Sequence, residues 1–300
     1  MIYDHVEGIG TIASGSYSHA EGSNTRTSGS FSHAEGYLTA TSGIGSHAEG
    51  NSTLALGDYS HAEGNQTVAS GSYSHAEGNQ TVTSGSYSHA EGFQTSTSSS
   101  YSHAEGVNTR AGAIGAHAEG YFTRALRIYD HAEGAFTTSS GNGSHAEGLS
   151  TAAIGIYTHA EGNGTIASGS YSHTEGLDTR TTGSYSKAVG TGTHATADNQ
   201  FACGKFNLLG NQHSLFVIGN GTAETLRSDL LWAGGTQVHI TGSLNVSGGV
   251  TGAFSGDGSG LTGIGGSGGG VTVQDEGTPL ATVASTLNFV GAGVTATGAG

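Results

Sequence analysis

From the N-terminus to about residue 190, small apolar side chains alternate with polar ones in two short bursts. One burst reads Tyr-Ser-His-Ala-Glu and closes on Gly; the other reads Thr-x-Ala/Thr and closes on Ser-Gly. Alternation with a period of two predicts strands, and the glycines predict corners. The two bursts together occupy 14 residues and recur with no insertion or deletion. His stands at His5, His19, His33, His47, His61, His75, His89, His103, His117, His131, His145, His159 and His173, with Lys187 in the fourteenth slot. Gly follows three residues later in all fourteen units, from Gly8 to Gly190, and Thr six residues later, from Thr11 to Thr193. Tyr or Phe stands two residues before most of the His, as in Tyr17, Phe31, Tyr73 and Tyr171.

A strict repeat this short predicts a solenoid with one coil per repeat. The fold class expected is all-β: a parallel β-roll of fourteen 14-residue coils over residues 1–190, about 65 Å long at a coil spacing of about 4.8 Å. Ser, Ala and the repeated Thr face its narrow interior. His and Glu share the opposite face, as in His19 and Glu21, His33 and Glu35, His47 and Glu49, His61 and Glu63, His75 and Glu77, His89 and Glu91, and His103 and Glu105. One such coil buries too little apolar surface to offset its ordering entropy. Association of copies along the His–Glu face is the expected remedy, and a homotrimer is inferred.

Composition narrows the function. The chain holds 55 Gly, one Pro and one Trp in 300 residues, without a collagen period. A formal charge of −15 with only 8 Lys and Arg speaks against nucleic acid as a partner. A single cysteine, Cys203, excludes an intrachain disulfide framework and is expected to be buried and inert. No basic leader with an apolar core and no run of 18 apolar residues is present, so neither a signal peptide nor membrane insertion is expected.

The SHAEG-x-x-T-x-A-S-G-x-Y pattern resembles the head repeats of YadA-type trimeric adhesins and, more closely, their relatives in phage tail proteins. That resemblance implies a left-handed β-roll packed as a trimer. It continues through Asn199-Gln200-Phe201, Gly204-Lys205-Phe206-Asn207, Leu215 to Thr222 and Arg227-Ser228, which are similar to the neck that follows such heads. Residues 191–240 are therefore expected to be a neck, 241–270 a Gly-rich fibre linker, and 271–300 a small β module similar to those in cyanophage fibres. That module stops abruptly at Gly300, so the natural chain is expected to continue. The absence of a heptad stalk and a membrane barrel favours a virion fibre over a cell-surface adhesin. Expected partners are copies of the chain, other phage tail proteins and a host receptor.

Each candidate site has a plainer alternative. His beside Glu invites a metal, but one His per layer with no converging second ligand points instead to His–Glu hydrogen bonds, and no metal or cofactor is expected. Such pairing would raise the His pKa values and make assembly sensitive to alkaline pH. Receptor contact falls on the variable corner residues, chiefly Phe93, Tyr121, Phe122 and Phe136. Arg26, Arg110, Arg124, Arg127 and Arg180 are expected on the same side, although all of these groups could simply seal seams between copies. Asn65 and Asn79, in Asn-x-Thr sequons, read as turn residues. Gly258-x-Gly260-x-x-Gly263 lacks the helix a dinucleotide site needs, and Asp257 reads as an ordinary turn residue. Nothing outside the repeat has the spacing of a catalytic constellation. The first coil, only four residues into the chain, is expected to dock onto a partner or to be plugged by Met1, Ile2 and Tyr3.

Overall fold

The computed structural model describes residues 3–210 and 215–243, together with Asn245 and the backbone of two short strands, Gln274–Asp275 and Thr278–Pro279. All regular structure among the described residues is β. The solenoid repeats one long strand of five residues and one short strand of two, as in His19–Ser23 and Arg26–Thr27. Successive long strands pair in parallel with identical residues opposite: His19 with His33, Ala20 with Ala34, Glu21 with Glu35, Gly22 with Gly36. The short strands form a second parallel sheet of fourteen members, from Ile12–Ala13 to His194–Ala195. The expected roll is thus present. Its long-strand sheet also runs past residue 190 without a break, through Phe201–Lys205 and Phe216–Asn220.

The interior is made of small side chains because the two sheets stand too close for larger ones. Ala20, Ala34, Ala48, Ala62 and their counterparts are fully buried, and the repeated Thr from Thr25 to Thr193 is buried beside them. Most of the Ser residues that precede His are buried as well. There the hydroxyl of Ser32, for example, donates to the carbonyl of Gly29 at 2.6 Å and holds the corner closed.

The strand boundaries differ from the expected ones. Tyr and Ser lie outside the long strand, which begins at His and includes the Gly. From Tyr17 to Tyr185 the aromatic residue occupies a left-handed backbone position, with φ between 52° and 60° in all ten units that carry it there. That conformation costs a non-glycine residue about 1 kcal/mol, and the ladder holds it in place: the amide of Tyr73 donates to the carbonyl of Asp58 at 2.8 Å. The two glycine rows also do different jobs. The row from Gly8 to Gly190 has φ between 101° and 122°. The Ser-Gly row has no positive φ and is glycine because coils touch there: a Cβ on Gly29 would stand 1.9 Å from the carbonyl oxygen of Gly43.

At the C-terminal end the sheet changes from parallel to antiparallel. Phe216–Asn220 pairs with Asp229–Gly234, which pairs in turn with Gln237–Ile240. Trp232 packs on the buried cluster Ala188, Ala195, Ala202 and Val217. Arg227 pins this region to the last repeat, donating to the carbonyls of Gly192 and Asn207, each at 2.9 Å, and lying over the Phe206 ring. Solenoid and hairpin form one compact unit ending at Ser243. The expected linker and terminal module lie largely outside the described residues, as do Asp257, the Gly258–Gly263 motif, Met1 and Ile2; Gln274–Asp275 and Thr278–Pro279 pair with each other as an antiparallel ladder.

Candidate functional site

The long strand turns His and Glu to the same outer face, and the parallel register stacks each type into a ladder. The imidazoles lie ring over ring: centroids of His19 and His33 are 4.6 Å apart, those of His131 and His145 4.5 Å, and those of His145 and His159 4.8 Å, nearly parallel in each case. His47, His75 and His103 continue the same stack, and Glu49, Glu77 and Glu105 keep the Glu register two residues on. From His19 to His173 the imidazoles are about one-third exposed, and the carboxylates from about one-third to nearly one-half.

The expected His–Glu hydrogen bonds are not formed. Nε2 of His19 lies 3.6 Å from Glu21, that of His33 4.0 Å from Glu35, that of His61 3.9 Å from Glu63 and that of His89 3.8 Å from Glu91. These distances exceed a hydrogen bond. The coil spacing fixes the rings in a stack, and in that orientation Nε2 passes beside the carboxylate. From His19 to His173 every repeat Nε2 is buried with no hydrogen-bond partner among the described residues.

The expected rise in His pKa is reversed. For His47, His61, His89, His117 and His145, burial pushes the imidazole below its usual value, and stacked neighbouring imidazoles push it the same way. The carboxylates raise it, but by less. His173 follows the same pattern, with Lys187 as its first cationic neighbour. Among the carboxylates, Glu147 is pushed up to about 7 by a hydrogen-bonding contact with Glu133, then by burial and by Glu161.

The same face changes character toward the C-terminus. The His row continues in register as Lys187, Phe201 and Phe216, and the Glu row as Val189, Cys203 and Ile218. All six side chains are partly exposed. Cys203 is thus half-buried rather than fully buried, and burial pushes its thiol up.

On the corner that follows the long strand, Tyr121, Phe122 and Phe136 form a cluster. Tyr121 meets Phe122 edge-on at 4.6 Å and Phe136 edge-on at 5.4 Å, and Phe122 stacks on Phe136 at 5.6 Å. All three are exposed. Phe93 lies on the same edge but two coils away, separated from Tyr121 by Val107. The arginines do not form one group. Arg110 and Arg124 are neighbours in register, whereas Arg26 and Arg180 each stand between other residues. Arg127 is off this row altogether, on the turn that leads into His131. Asn65 and Asn79 end long strands rather than occupying turns, and the Asn79 amide donates to the Asn65 side chain at 3.2 Å.

Two further features were not anticipated. Asp130 fills the slot that usually holds Ser; it is buried, accepts from the Arg127 amide at 2.8 Å and the Ser144 hydroxyl at 3.1 Å, and is pushed up by burial. Its place in the repeat was the visible signal. The aromatic corner residues form a second exposed ladder, with Tyr73 and Tyr87 stacked at 5.0 Å, interrupted where Gly45, Gly115 and Gly143 replace the ring. No family model matches the chain, and no curated protein matches its sequence significantly.

Proposed function

We propose that this chain is a rod-forming segment of a phage tail fibre or appendage, that it assembles as a homotrimer through its His–Glu face, and that it contributes to host-cell attachment in the virion. The observation that carries the reading is the outer face of the long-strand sheet. Along twelve coils, from His19 to His173, it leaves buried Nε2 atoms without partners, and in the same register it becomes Phe201, Phe216, Val189, Cys203 and Ile218. A face that is unpartnered at one end and apolar at the other fits contact with another protein surface. A second copy presents the same ladder in the same register, so coil can meet coil over the length of the rod.

The fibre assignment rests on the resemblance of the SHAEG repeat to phage tail relatives of the trimeric adhesins. Attachment rests on the exposed cluster Tyr121, Phe122 and Phe136, since aromatic groups on a rigid scaffold supply much of the energy at interfaces. The purified chain is expected to compete with phage for adsorption to host cells, and the double substitution Tyr121→Ser, Phe122→Ser is expected to abolish competition without changing the particle mass. Competition that survives the double substitution would remove this cluster as the contact. No competition by the native chain would leave a spacer without a receptor site.

A further inference from the structure

Stacking brings ligands from adjacent coils together where one coil alone cannot. Among the described residues, five triads hold two imidazole nitrogens and one carboxylate oxygen within 4.8 Å of one another: His61, Glu63 and His75; His117, Glu119 and His131; His131, Glu133 and His145; His145, Glu147 and His159; His159, Glu161 and His173. We propose that these triads are binding sites for a divalent first-row transition metal of the zinc class, each formed by His and Glu of one coil and His of the next.

Three observations support the assignment. Neutral imidazole with its proton on Nδ1 offers Nε2 as a lone pair, and these Nε2 atoms are buried without partners. The Nε2 to carboxylate separations are 3.6 Å for His117 and Glu119, 3.8 Å for His131 and Glu133, and 3.7 Å for His159 and Glu161. They are too long for hydrogen bonds and lie within about half an ångström of the roughly 3.4 Å that separates two ligands on a tetrahedral zinc. Glu133, Glu147 and Glu161 also reach forward: His145 is 3.9 Å from Glu133, His159 3.8 Å from Glu147 and His173 4.0 Å from Glu161, each through the second carboxylate oxygen. A cation at these points would offset the crowding of carboxylates that raises Glu147. Two His and one Glu with an open position suit zinc, and imidazole favours such metals over calcium or magnesium. Ligand atoms that stand up to 4.8 Å apart must draw together on one ion by as much as about an ångström or more, which requires the stacked rings to rotate; His159 and His173 already stand 57° from parallel.

The triads share ligands, and sharing fixes a count. His131, His145 and His159 each belong to two triads, so at most two of the four between His117 and His173 can fill at once, and the triad at His61 adds a third. Each triad is complete within one chain, so the inference does not rest on assembly between copies.

The test is equilibrium dialysis of the EDTA-stripped full chain against micromolar zinc, with the metal counted by mass spectrometry and particle mass measured in parallel. Three zinc ions per chain are expected. His75→Asn should give two. His131→Asn should also give two, because the triads left beyond it share His159. His145→Asn should still give three, through the triads at His117 and His173. His33→Asn, outside every triad, should keep three. Binding of no zinc, of one ion per His, or an equal loss in His131→Asn and His145→Asn would overturn the proposal. The last two variants alter adjacent copies of one repeat, so a folding defect would affect both alike.

Discussion

Gly78 has a φ of 109°, and a methyl on its Cα would stand 2.1 Å from the carbonyl oxygen of Gly92 in the next coil. Neither the backbone nor its neighbour can yield, because both belong to the hydrogen-bonded ladder. Gly78→Ala is expected to destabilise the solenoid by about 3 kcal/mol or more. Gly112 has no positive φ, and a Cβ there would meet nothing closer than 3.6 Å. Gly112→Ala should therefore change stability by less than about 1 kcal/mol. Paired denaturation curves check the contrast, and equal losses in the two variants would contradict it. At this scale the sequence was only partly legible. The period marked which glycines matter, but it could not separate a left-handed φ from close backbone contact, and the Ser-Gly row proved to be the second kind. Tyr and Phe misled for a similar reason: their strand preference is weak beside a ladder that fixes them at a left-handed corner.

Among the strands, the His–Glu ladder governs how stability depends on pH. His47, His61, His89, His117, His145 and His173 have folded pKa values below the ordinary 6.5. The folded chain therefore binds fewer protons at these groups than the unfolded chain does. Their stabilising contribution is complete above about 6.5 and is lost as pH falls through the folded values. Glu147, raised to about 7, acts in the opposite sense: its penalty builds as pH rises from 4.5 toward 7. Replacing Glu147 with Gln removes the opposing contribution and leaves the imidazoles to set the ladder's slope. The melting temperature of Glu147→Gln should therefore fall more steeply than that of the native chain on acidification from pH 7 to about pH 5. Paired thermal melts across that range check this; equal slopes, or a shallower one in the variant, would contradict it. Pairing of opposite charges, read from the sequence, gave the wrong sign. The sequence shows that His and Glu share a face, but it cannot show that the stacked imidazoles are buried enough, and miss hydrogen bonds to the carboxylates, for burial and neighbouring rings to outweigh Glu.

The whole molecule was legible in outline because one constraint dominates it. An unbroken 14-residue period with small residues at fixed places leaves little besides a narrow stacked coil, and Ala20, Ala34 and Ala48 in one buried row bear that out. The neck was less legible because its period fails. Phe216 follows Phe201 by 15 residues yet keeps the register of the sheet, and Arg227 holds the junction through contacts 20 and 35 residues away in the chain. Nothing local in the sequence marks those contacts.

The proposed fibre depends on assembly through the long-strand face. Light scattering of the purified chain at neutral pH tests it most directly. The expected result is a single species of three times the 29.8 kDa chain mass, held over a wide range of dilution. A monodisperse single chain at every concentration would contradict it.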